Sequence, residues 1–360
     1  MKKYLLPKEG QFYKSNLHMH TNISDGNMSV EETKKVYMEK GYSIVAYTDH
    51  EIMVPHNELS DDNFLAITST EISVNDRYDC DFTFVKCYHL NLYSKEPNKD
   101  FFATFDKERI CLEHSKKYIS NEQKKHNYSR IYDVFDVNNV IKMANDNQCL
   151  VSYNHPVWSC QDYSDYIDLK GLWAVEWFNT GCYLAGYKDN MNPIDDLLKK
   201  GERVFPIATD DAHSINDCFG GFTMIKALNL KYDSIYEALK KGDFYSSTKP
   251  LIEELYFEDG CVYIKTSKVK MIYLSTDSRY RMCLKSDELI SEGVFDINHY
   301  LNSNNINKHK YFRISLVDEY GNEAHTRAYF LDEILDEKLI EKKAEDIINK
   351  HIIAFKELAK

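Results

Sequence analysis

Histidine and acidic residues recur along the first two thirds of the chain in short motifs that are typical of metal ligands. The motifs contain six histidines and several carboxylates: His18-Met19-His20, Ser24-Asp25-Gly26, Thr48-Asp49-His50, Glu71, His89, Asn154-His155-Pro156 and Asp211-Ala212-His213. A mixture of imidazole and carboxylate ligands favours Zn, Mn or Fe over Ca. The set contains enough ligands for more than one divalent ion, and we therefore predict a hydrolase that uses several metals.

Two features of the set indicate how ions could be shared. His18 and His20 occupy alternate positions of a strand predicted at 15–20, so their side chains point to the same side and can bind one ion. Glu71 has two carboxylate oxygens and can bridge two ions. Metals about 3.5–4 Å apart can hold a hydroxide between them and stabilise both the attacking and the leaving oxygen. Each motif alone is a weak signal, and the ordered set is a strong one.

The motifs follow the ends of predicted strands. Ser29 and Glu32 form a capping box that predicts a helix ending near Gly41. After it come a buried strand and then a motif histidine, and two later segments repeat this order. The strands followed by a motif are predicted at 43–47, 150–153 and 204–208, after helices at 30–41, 140–147 and 193–201. Other strands are predicted at 64–68, 84–93 and 172–178.

Strands that alternate with helices predict a parallel sheet or a barrel. In (β/α) barrels the functional residues gather at the carboxyl ends of the strands. An open doubly wound sheet would place ligands at the same ends. Ligands that converge from at least five strands favour the closed barrel.

The sequence pattern changes after residue 249. Alternating apolar residues at 255–257 and 262–264 flank a turn at 258–260, and those at 311–316 and 327–330 flank a turn at 318–322. These pairs predict antiparallel hairpins of a small β-sandwich. We predict a metallohydrolase barrel at 1–249, a β-sandwich-like domain at 250–331 and a C-terminal helix at 332–360.

Charge and composition restrict the partners and the compartment. The 360 residues have a formal net charge of −12, which opposes extended contact with nucleic acid. Nine cysteines without a CxxC pair indicate free thiols in a reducing cytoplasm. The chain has no apolar run of about 18 residues that would predict a membrane span. Its N-terminal apolar run is too short for a signal peptide.

The motifs resemble those of the PHP superfamily, which is named for polymerase and histidinol phosphatase. The strings that carry the resemblance are Leu17-His18-Met19-His20-Thr21, Ser24-Asp25-Gly26, Tyr47-Thr48-Asp49-His50, Glu71-Ile72-Ser73, His89, Asn154-His155-Pro156 and Asp210-Asp211-Ala212-His213. The resemblance covers residues 14–249, and 242–247 are similar to the string that ends the barrel in some members. Those members also carry a β-domain, and 311–313 and 319–324 resemble its last hairpin. The resemblance implies a distorted (β/α)7 barrel with a trinuclear metal centre at the carboxyl face.

The resemblance also implies a role for each ligand. The first metal would be held by His18, His20, Glu71 and Asp211; the second by Glu71, His89 and His155; the third by Asp25, His50 and His213. Some members have a histidine at the position of Asp25. Asp49 would orient an imidazole, and the family pattern selects Asp211 rather than Asp210. Glu71, Asp211 and His213 are the candidate catalytic residues.

The hypothesis from sequence is hydrolysis of a small phosphomonoester or phosphodiester by a metal-bridging hydroxide, with two to three Mn, Fe or Zn ions. The same centre could hydrolyse a carboxylic or carbamate ester or an amide, or act as an exonuclease on short nucleic acid ends. Residues 101–130 could form a lid or a surface helix. Other candidates near the site are Arg77 for phosphate, Glu176 and Asn179 for substrate, and His56. No membrane partner is expected, and a homo-oligomer stays open.

Overall fold

The computed structural model describes residues 2–77, 84–110, 112–302 and 310–335. The chain divides into two compact units. The larger unit contains residues 9–249, and the smaller unit contains residues 1–8 and 250–360. In the described part of the chain, no helix is long and apolar enough to span a membrane.

Strands and helices are numbered in chain order. The strands are β1 Lys3–Tyr4, β2 Gln11–Asn16, β3 Ile44–Tyr47, β4 Leu65–Asn75, β5 Cys87–Ser94, β6 Cys149–Tyr153, β7 Ala174–Asn179, β8 Phe205–Thr209, β9 Phe222–Ala227, β10 Phe244–Ser247, β11 Ile252–Glu258, β12 Cys261–Thr276, β13 Arg281–Asp296, β14 Tyr311–Val317, β15 Glu323–Thr326 and β16 Tyr329–Phe330. The helices are α1 Val30–Glu39, α2 Val134–Asp146, α3 Tyr163–Tyr166, α4 Thr180–Leu184, α5 Asn192–Lys200, α6 Tyr232–Lys241, α7 Asn298–Leu301 and α8 Leu331–Ile334.

The larger unit is a mixed α/β fold around one sheet. Its strand order is β10-β9-β2-β3-β4-β5-β6-β7-β8. The strands β2, β3 and β4 are parallel, and so are β6, β7 and β8. Between them β5 is antiparallel to both neighbours, and β9 and β10 add an antiparallel edge beside β2. Alternate residues of β3 belong to two different apolar clusters, as expected for a strand that is covered on both faces.

The segments that follow β2 and β8 meet, although these strands are far apart in the sheet order. Met19 and Ala212 form a parallel bridge. The amide of His20 donates to the carbonyl of Ala212 at 3.1 Å, and the amide of Asp211 donates to the carbonyl of His18 at 2.9 Å. Two of the predicted ligand motifs are thus joined directly through their backbones.

The strand predicted at 15–20 ends earlier, at Asn16. The side chain of Asn16 accepts from the amides of His18 and Asp210 and donates to the carbonyl of His18. The amide and carbonyl of His18 are thus bonded to the Asn16 side chain instead of to a neighbouring strand. His18 and His20 therefore lie just beyond the end of β2. The strands predicted at 43–47, 150–153 and 204–208 match β3, β6 and β8 within two residues.

Local signals also place two helices. The Ser29 side chain accepts from the Glu32 amide while the Glu32 side chain caps the Ser29 amide, so the capping box opens α1. Pro193 lies in the first turn of α5, and Gly201 ends that helix with φ 102° in the left-handed region. Glycine adopts this conformation without the steric cost that a Cβ atom adds.

The described strands of the smaller unit pair antiparallel. They include β1, which pairs with β11 through Lys3 and Phe257. The sequence assigned 1–8 to the first domain, whereas this pairing and the Leu5 amide bond to the Leu255 carbonyl hold the segment in the smaller unit. The predicted pairing of 311–316 with 327–330 is found between β14 and β16, through Tyr311 with Phe330 and Phe312 with Tyr329. Directly across the turn at 318–322, β14 also pairs with β15, which was not predicted. The C-terminal helix was predicted at 332–360, and its residues from 336 onward lie outside the described part of the chain.

An ion pair is buried inside the larger unit beside a ligand motif. Arg130 Nη2 lies 2.6 Å from Glu51 Oε2, and both side chains are almost fully buried. The amide of Ser73 donates to the other Glu51 oxygen at 2.9 Å. Glu51 directly follows His50, so the pair ties the end of the 101–130 segment to a ligand loop.

Replacement of Arg130 by methionine should destabilise the larger unit by about 3–5 kcal/mol, because the Glu51 carboxylate would remain in the interior without its cation. Lys142→Met breaks the exposed Lys142–Asp146 pair and should cost less than about 1 kcal/mol. Urea unfolding followed by tryptophan fluorescence measures both losses. The probes all lie in the larger unit: Trp158, Trp173 and Trp177. Equal losses for the two variants would contradict this account.

Candidate metal centre

The nine predicted ligands converge from seven chain segments. Four of these segments directly follow β2, β3, β6 and β8, one is the loop of Asp25, and Glu71 and His89 belong to β4 and β5. The structure brings the nine side chains into three groups whose ligand atoms lie within 4.8 Å of one another: His18, His20, Glu71 and Asp211; Glu71, His89 and His155; His20, Asp25, His50 and His213. A fourth group of the same kind joins His18 and His155 to Glu176, which was not among the predicted ligands. Because the groups share residues, they form one continuous cluster.

The first group is the most buried. The Nε2 atoms of His18 and His20 are 3.1 Å apart, and each lies 3.1 Å from Asp211 Oδ1. The same two nitrogens lie 3.3 Å from the two oxygens of Glu71. The ligand atoms of these four residues face one another at these separations and surround a position suited to a cation.

Glu71 links the first group to the second. Its Oε1 lies 3.1 Å from His89 Nδ1 and 3.3 Å from His155 Nε2. Its Oε2 lies 3.3 Å from His50 Nδ1, so it also reaches the third group. The carboxylate is 1% exposed, which leaves it with protein ligands as neighbours on every side.

The third group differs from the set that the family resemblance implies, because it includes His20. Asp25 Oδ2 lies 3.5 Å from His50 Nε2 and 3.4 Å from His213 Nε2. The His20 ring lies between these two imidazoles, with its centroid 4.3 Å from each of theirs. His20 Nε2 faces the first group while its Nδ1 lies 3.7 Å from Asp25, so this residue joins the two groups.

Glu176 at β7 positions two of the ligands. Its Oε1 accepts from His18 Nδ1 at 2.8 Å, and its Oε2 accepts from the His155 amide at 3.1 Å. A donating Nδ1 leaves His18 Nε2 free as a metal ligand. Asn179 donates from Nδ2 to both Glu176 and Asp211. From the sequence we predicted that Glu176 and Asn179 contact substrate. In the structure their side chains make hydrogen bonds to the candidate metal ligands His18, His155 and Asp211.

Asp49 holds a loop rather than an imidazole, so the role implied for it by the family resemblance is corrected. Its oxygens accept from the amide and hydroxyl of Thr21 and from the amide and hydroxyl of Ser24, at 2.7–3.1 Å. These bonds fix the turn that presents Asp25. A Cβ atom at Gly26 would lie 2.3 Å from the His20 carbonyl oxygen, so the turn packs too closely there for any other residue.

The two adjacent aspartates face different surroundings. Asp210 turns away from the cluster and accepts from the hydroxyls of Tyr37 and Thr180 and from three amides at 219–221. Asp211 faces the histidines with a backbone φ of 50°, and His155 has φ 28°. Positive φ is uncommon outside glycine and stores strain that is typical of functional positions.

The cluster has opposing electrostatic demands. Burial lowers the pKa of His20, but the carboxylates of Asp211 and Glu71 outweigh this effect and raise that pKa to about 10. Burial and the nearby His20 lower the pKa of His50 to about 3. Burial would raise the pKa values of Glu71 and Asp211, but facing imidazoles hold both well below their usual range. The carboxylates therefore favour positive charge in the cluster. Protonation of the histidines provides only part of it, because neighbouring imidazoles cannot all be protonated together.

The residues fit divalent metal ions. Asp211 Oδ1 and His20 Nδ1 are buried without a hydrogen-bond partner among the described residues, although two imidazole nitrogens lie close to the first atom. Groups that converge without hydrogen-bond geometry are expected where a cation lies between them. Imidazole with carboxylate is also the ligand mixture that Zn, Mn and Fe prefer.

Other candidates named from sequence lie outside the three groups. His56 lies 3.5 Å from Glu58, and its ring packs against Tyr47. Arg77 donates to the carbonyl of Phe84. The 101–130 segment contacts the Asp25 loop, where His114 lies 3.0 Å from the Ser24 carbonyl oxygen. This contact places part of the segment beside the third group, and whether it moves as a lid stays a prediction.

Comparison with known proteins gives likenesses at the level of structure. No family model and no curated protein matches the sequence. A two-domain protein from Bacteroides vulgatus, containing a predicted PHP-like metal-dependent phosphoesterase, is 15% identical; the match covers 91% of this chain and 98% of that one, with a TM-score of 0.40. An amidohydrolase from Chromobacterium violaceum is 12% identical over 56% and 88% of the two chains, with a TM-score of 0.38.

A lesion-specific endonuclease from Pyrococcus furiosus, PfuEndoQ, is 17% identical over 64% of this chain and 56% of that one, with a TM-score of 0.36.

Replacement of His213 by alanine should reduce bound metal by about one ion per chain, because the third group loses a ligand at its exposed edge. His56→Ala is the matched control and should retain the wild-type metal content, since His56 contacts Glu58 and Tyr47 instead. Elemental analysis of the purified variants measures both. Equal metal content in the wild type and the His213 variant would exclude His213 as a ligand.

Proposed function

We propose that this chain is a PHP-type metal-dependent phosphoesterase that hydrolyses a small phosphomonoester or phosphodiester at a trinuclear centre. The observation that carries the proposal is the continuous cluster in which Glu71 and His20 each belong to two ligand groups. Shared ligands hold metal ions near one another, as multi-metal hydrolysis of phosphate esters requires. The centre would take two to three Mn, Fe or Zn ions.

Each ligand group would hold one ion. His18, His20, Glu71 and Asp211 would hold the first; Glu71, His89 and His155 the second; Asp25, His50 and His213, with His20 beside them, the third. When bound, such ions act as Lewis acids and lower the pKa of water to generate a nucleophile near neutral pH. The candidate catalytic residues Glu71, Asp211 and His213 would be among the residues that hold these ions, and Glu71 would serve two of them because it belongs to two ligand groups.

The protein contributes orientation and exclusion of water. Glu176 holds His18 in the tautomer that leaves Nε2 free, and its bond to the His155 amide keeps a second ligand in place. The low exposure of His18, His20 and Glu71 strengthens electrostatic interactions inside the cluster. His50, Asp25 and His213 are more exposed, so a substrate would approach from their side.

We also propose that the larger unit is a distorted (β/α)7 barrel, formed by β2 to β8. The Met19–Ala212 bridge supports this proposal, because it joins the ends of the first and the last of these seven strands. A closed barrel explains why ligands from distant strands reach one point at their carboxyl ends.

The proposed partner is a small phosphoester rather than extended nucleic acid, since the chain has a formal net charge of −12. The larger unit would then provide the chemistry, with residues 250–331 as a β-sandwich-like domain. The amide or carboxyl ester alternative uses the same ions, so substrate assays have to separate it from the proposal.

The test of the function is a side-by-side assay of p-nitrophenyl phosphate, bis(p-nitrophenyl) phosphate, p-nitrophenyl acetate and a labelled oligonucleotide. We expect turnover of a phosphate ester that a chelator abolishes and that added Mn²⁺ restores. Turnover of the acetate alone would identify a carbonyl hydrolase. Shortening of the oligonucleotide alone would identify an exonuclease.

Replacement of Glu176 by glutamine should lower metal affinity or phosphatase activity by about 10–100-fold, because an amide group cannot orient His18 and the His155 backbone as the carboxylate does. Titration of the chelator-treated enzyme with Mn²⁺, with phosphate release as the readout, measures the change. Glu202→Gln is the control, since Glu202 pairs with Lys170 at the surface. A Glu176 variant with wild-type titration would contradict the assigned positioning role.

A further inference from the structure

One aromatic side chain, Trp158, contacts the metal centre but belongs to none of the ligand groups. Its ring centroid lies 5.3 Å from that of His89 and 5.1 Å from that of His155. These are the two imidazoles of the second ligand group. The other two tryptophans of the chain are buried, whereas Trp158 is partly exposed to solvent. Part of its ring is therefore accessible to a molecule that binds at the centre.

Hydrogen bonds on both sides fix the turn that carries Trp158. The Ser159 amide donates to the His155 carbonyl at 3.1 Å, and the Ser159 carbonyl accepts from the first amide of β5 at 3.3 Å. On the other side, the Val157 amide donates to Asp189 Oδ1, in the loop between α4 and α5, at 2.9 Å. Because the turn is already ordered, a contact with its aromatic ring adds little cost of ordering on binding.

The accessible part of the second ligand group lies beside Trp158. The side chain of His89 is 12% exposed, whereas those of Glu71 and His155 are 1% and 2% exposed. A molecule that reaches an ion in this group would therefore pass His89 and meet the Trp158 ring. The His50 ring at the exposed edge of the cluster lies 5.8 Å from that of His89, so the same approach continues to the third group.

The surface near the centre carries further apolar side chains, on the segments that follow β6, β7 and β8. Within these segments α4 packs beside residues 215–217, and a Cβ atom at Gly181 would lie 3.0 Å from the Asp211 carbonyl oxygen. The large apolar side chains exposed on the three segments are Val157, Tyr183, Leu184, Tyr187 and Ile215. Exposed apolar groups on neighbouring segments are typical of ligand-binding grooves.

We propose that Trp158 is a specificity-determining residue that selects phosphate esters of alcohols carrying an aromatic ring. The inference rests on the proposed function and names its substrate class. The substrate ring would pack against the accessible part of the indole while the phosphate group lies among the ligand groups. Aromatic pairs gain free energy beyond the burial of their area. Since the indole contacts two candidate ligands, only a molecule bound at the centre can use both features.

The test compares benzyl phosphate with ethyl phosphate, because both release an alkoxide and only the first carries a ring. We expect wild-type kcat/KM to favour benzyl phosphate by about 10-fold, chiefly through KM, since the ring contact forms on binding. Trp158→Leu keeps an apolar side chain without the ring and should remove most of this preference. Trp158→Phe keeps a ring and should retain most of it. An unchanged preference in the leucine variant would overturn the inference.

The ring also packs against two candidate ligands, and the same variants separate that structural role. Loss of packing alone would lower turnover of both esters by the same factor, so that result would overturn the inference as well. Bound metal, measured by elemental analysis, should equal that of the wild type in both variants. Leu228→Ala is the matched control and should keep the wild-type preference. Leu228 is exposed and follows β9, whose last residue pairs with Gln11 at the start of β2, opposite the ligand end.

Wild-type enzyme supplies a second measurement that does not depend on folding of a variant. Equal kcat/KM for benzyl and ethyl phosphate would overturn the role of Trp158 while leaving the phosphoesterase function intact. Failure to hydrolyse any phosphate ester would overturn the proposed function, and the inference with it.

Discussion

The rest of the structure depends on the electrostatic cost of crowding six imidazoles and three carboxylates into one cluster that is buried except at the edge formed by Asp25, His50 and His213. Nitrogen and oxygen atoms with lone pairs face one another at 3.1–3.7 Å, and several of them have no hydrogen-bond geometry. Without positive charge among them, such a set is strongly destabilising. The opposite pKa shifts of His20 and His50 reflect this competition, because a proton on one imidazole disfavours a proton on its neighbour.

The fold supports this cluster with carboxylates outside the nine predicted ligands. Glu176 holds His18 and His155, Asp49 holds the turn before Asp25, and Asp210 holds the loop at 219–221. Each accepts several hydrogen bonds and thereby fixes backbone near a candidate ligand. The positive φ angles of His155 and Asp211 are maintained by this network. The positions of the candidate ligands therefore depend on hydrogen bonds to these carboxylates as much as on the strands.

Sequence patterns marked the candidate ligands more clearly than the residues that hold them in place. A ligand is visible because a histidine or aspartate at a strand end has an unusual combination of type and position, as at His50 and His155. Glu176 lies within β7, and nothing in its neighbours distinguishes a carboxylate that will be buried from one that will be exposed. The bonds of Asp49 were equally hidden, since they depend on the path of the Thr21–Ser24 turn.

The fold was predicted best where local signals determine it, as in the capping box of Ser29 and the left-handed Gly201. It was predicted less well where distant partners decide. The pairing of Lys3 with Phe257 joins residues that are far apart in the sequence, and β13 has few buried positions to mark its full length. The end of β2 at Asn16 depends on a hydrogen bond to Asp210, which no local pattern reveals.

Anomalous diffraction from crystals of the metal-loaded, active protein tests the central claim most directly. The account predicts ion peaks among the three ligand groups, with Glu71 between the first two and Asp25 at the third. Active protein with no ion peak among these residues would contradict it.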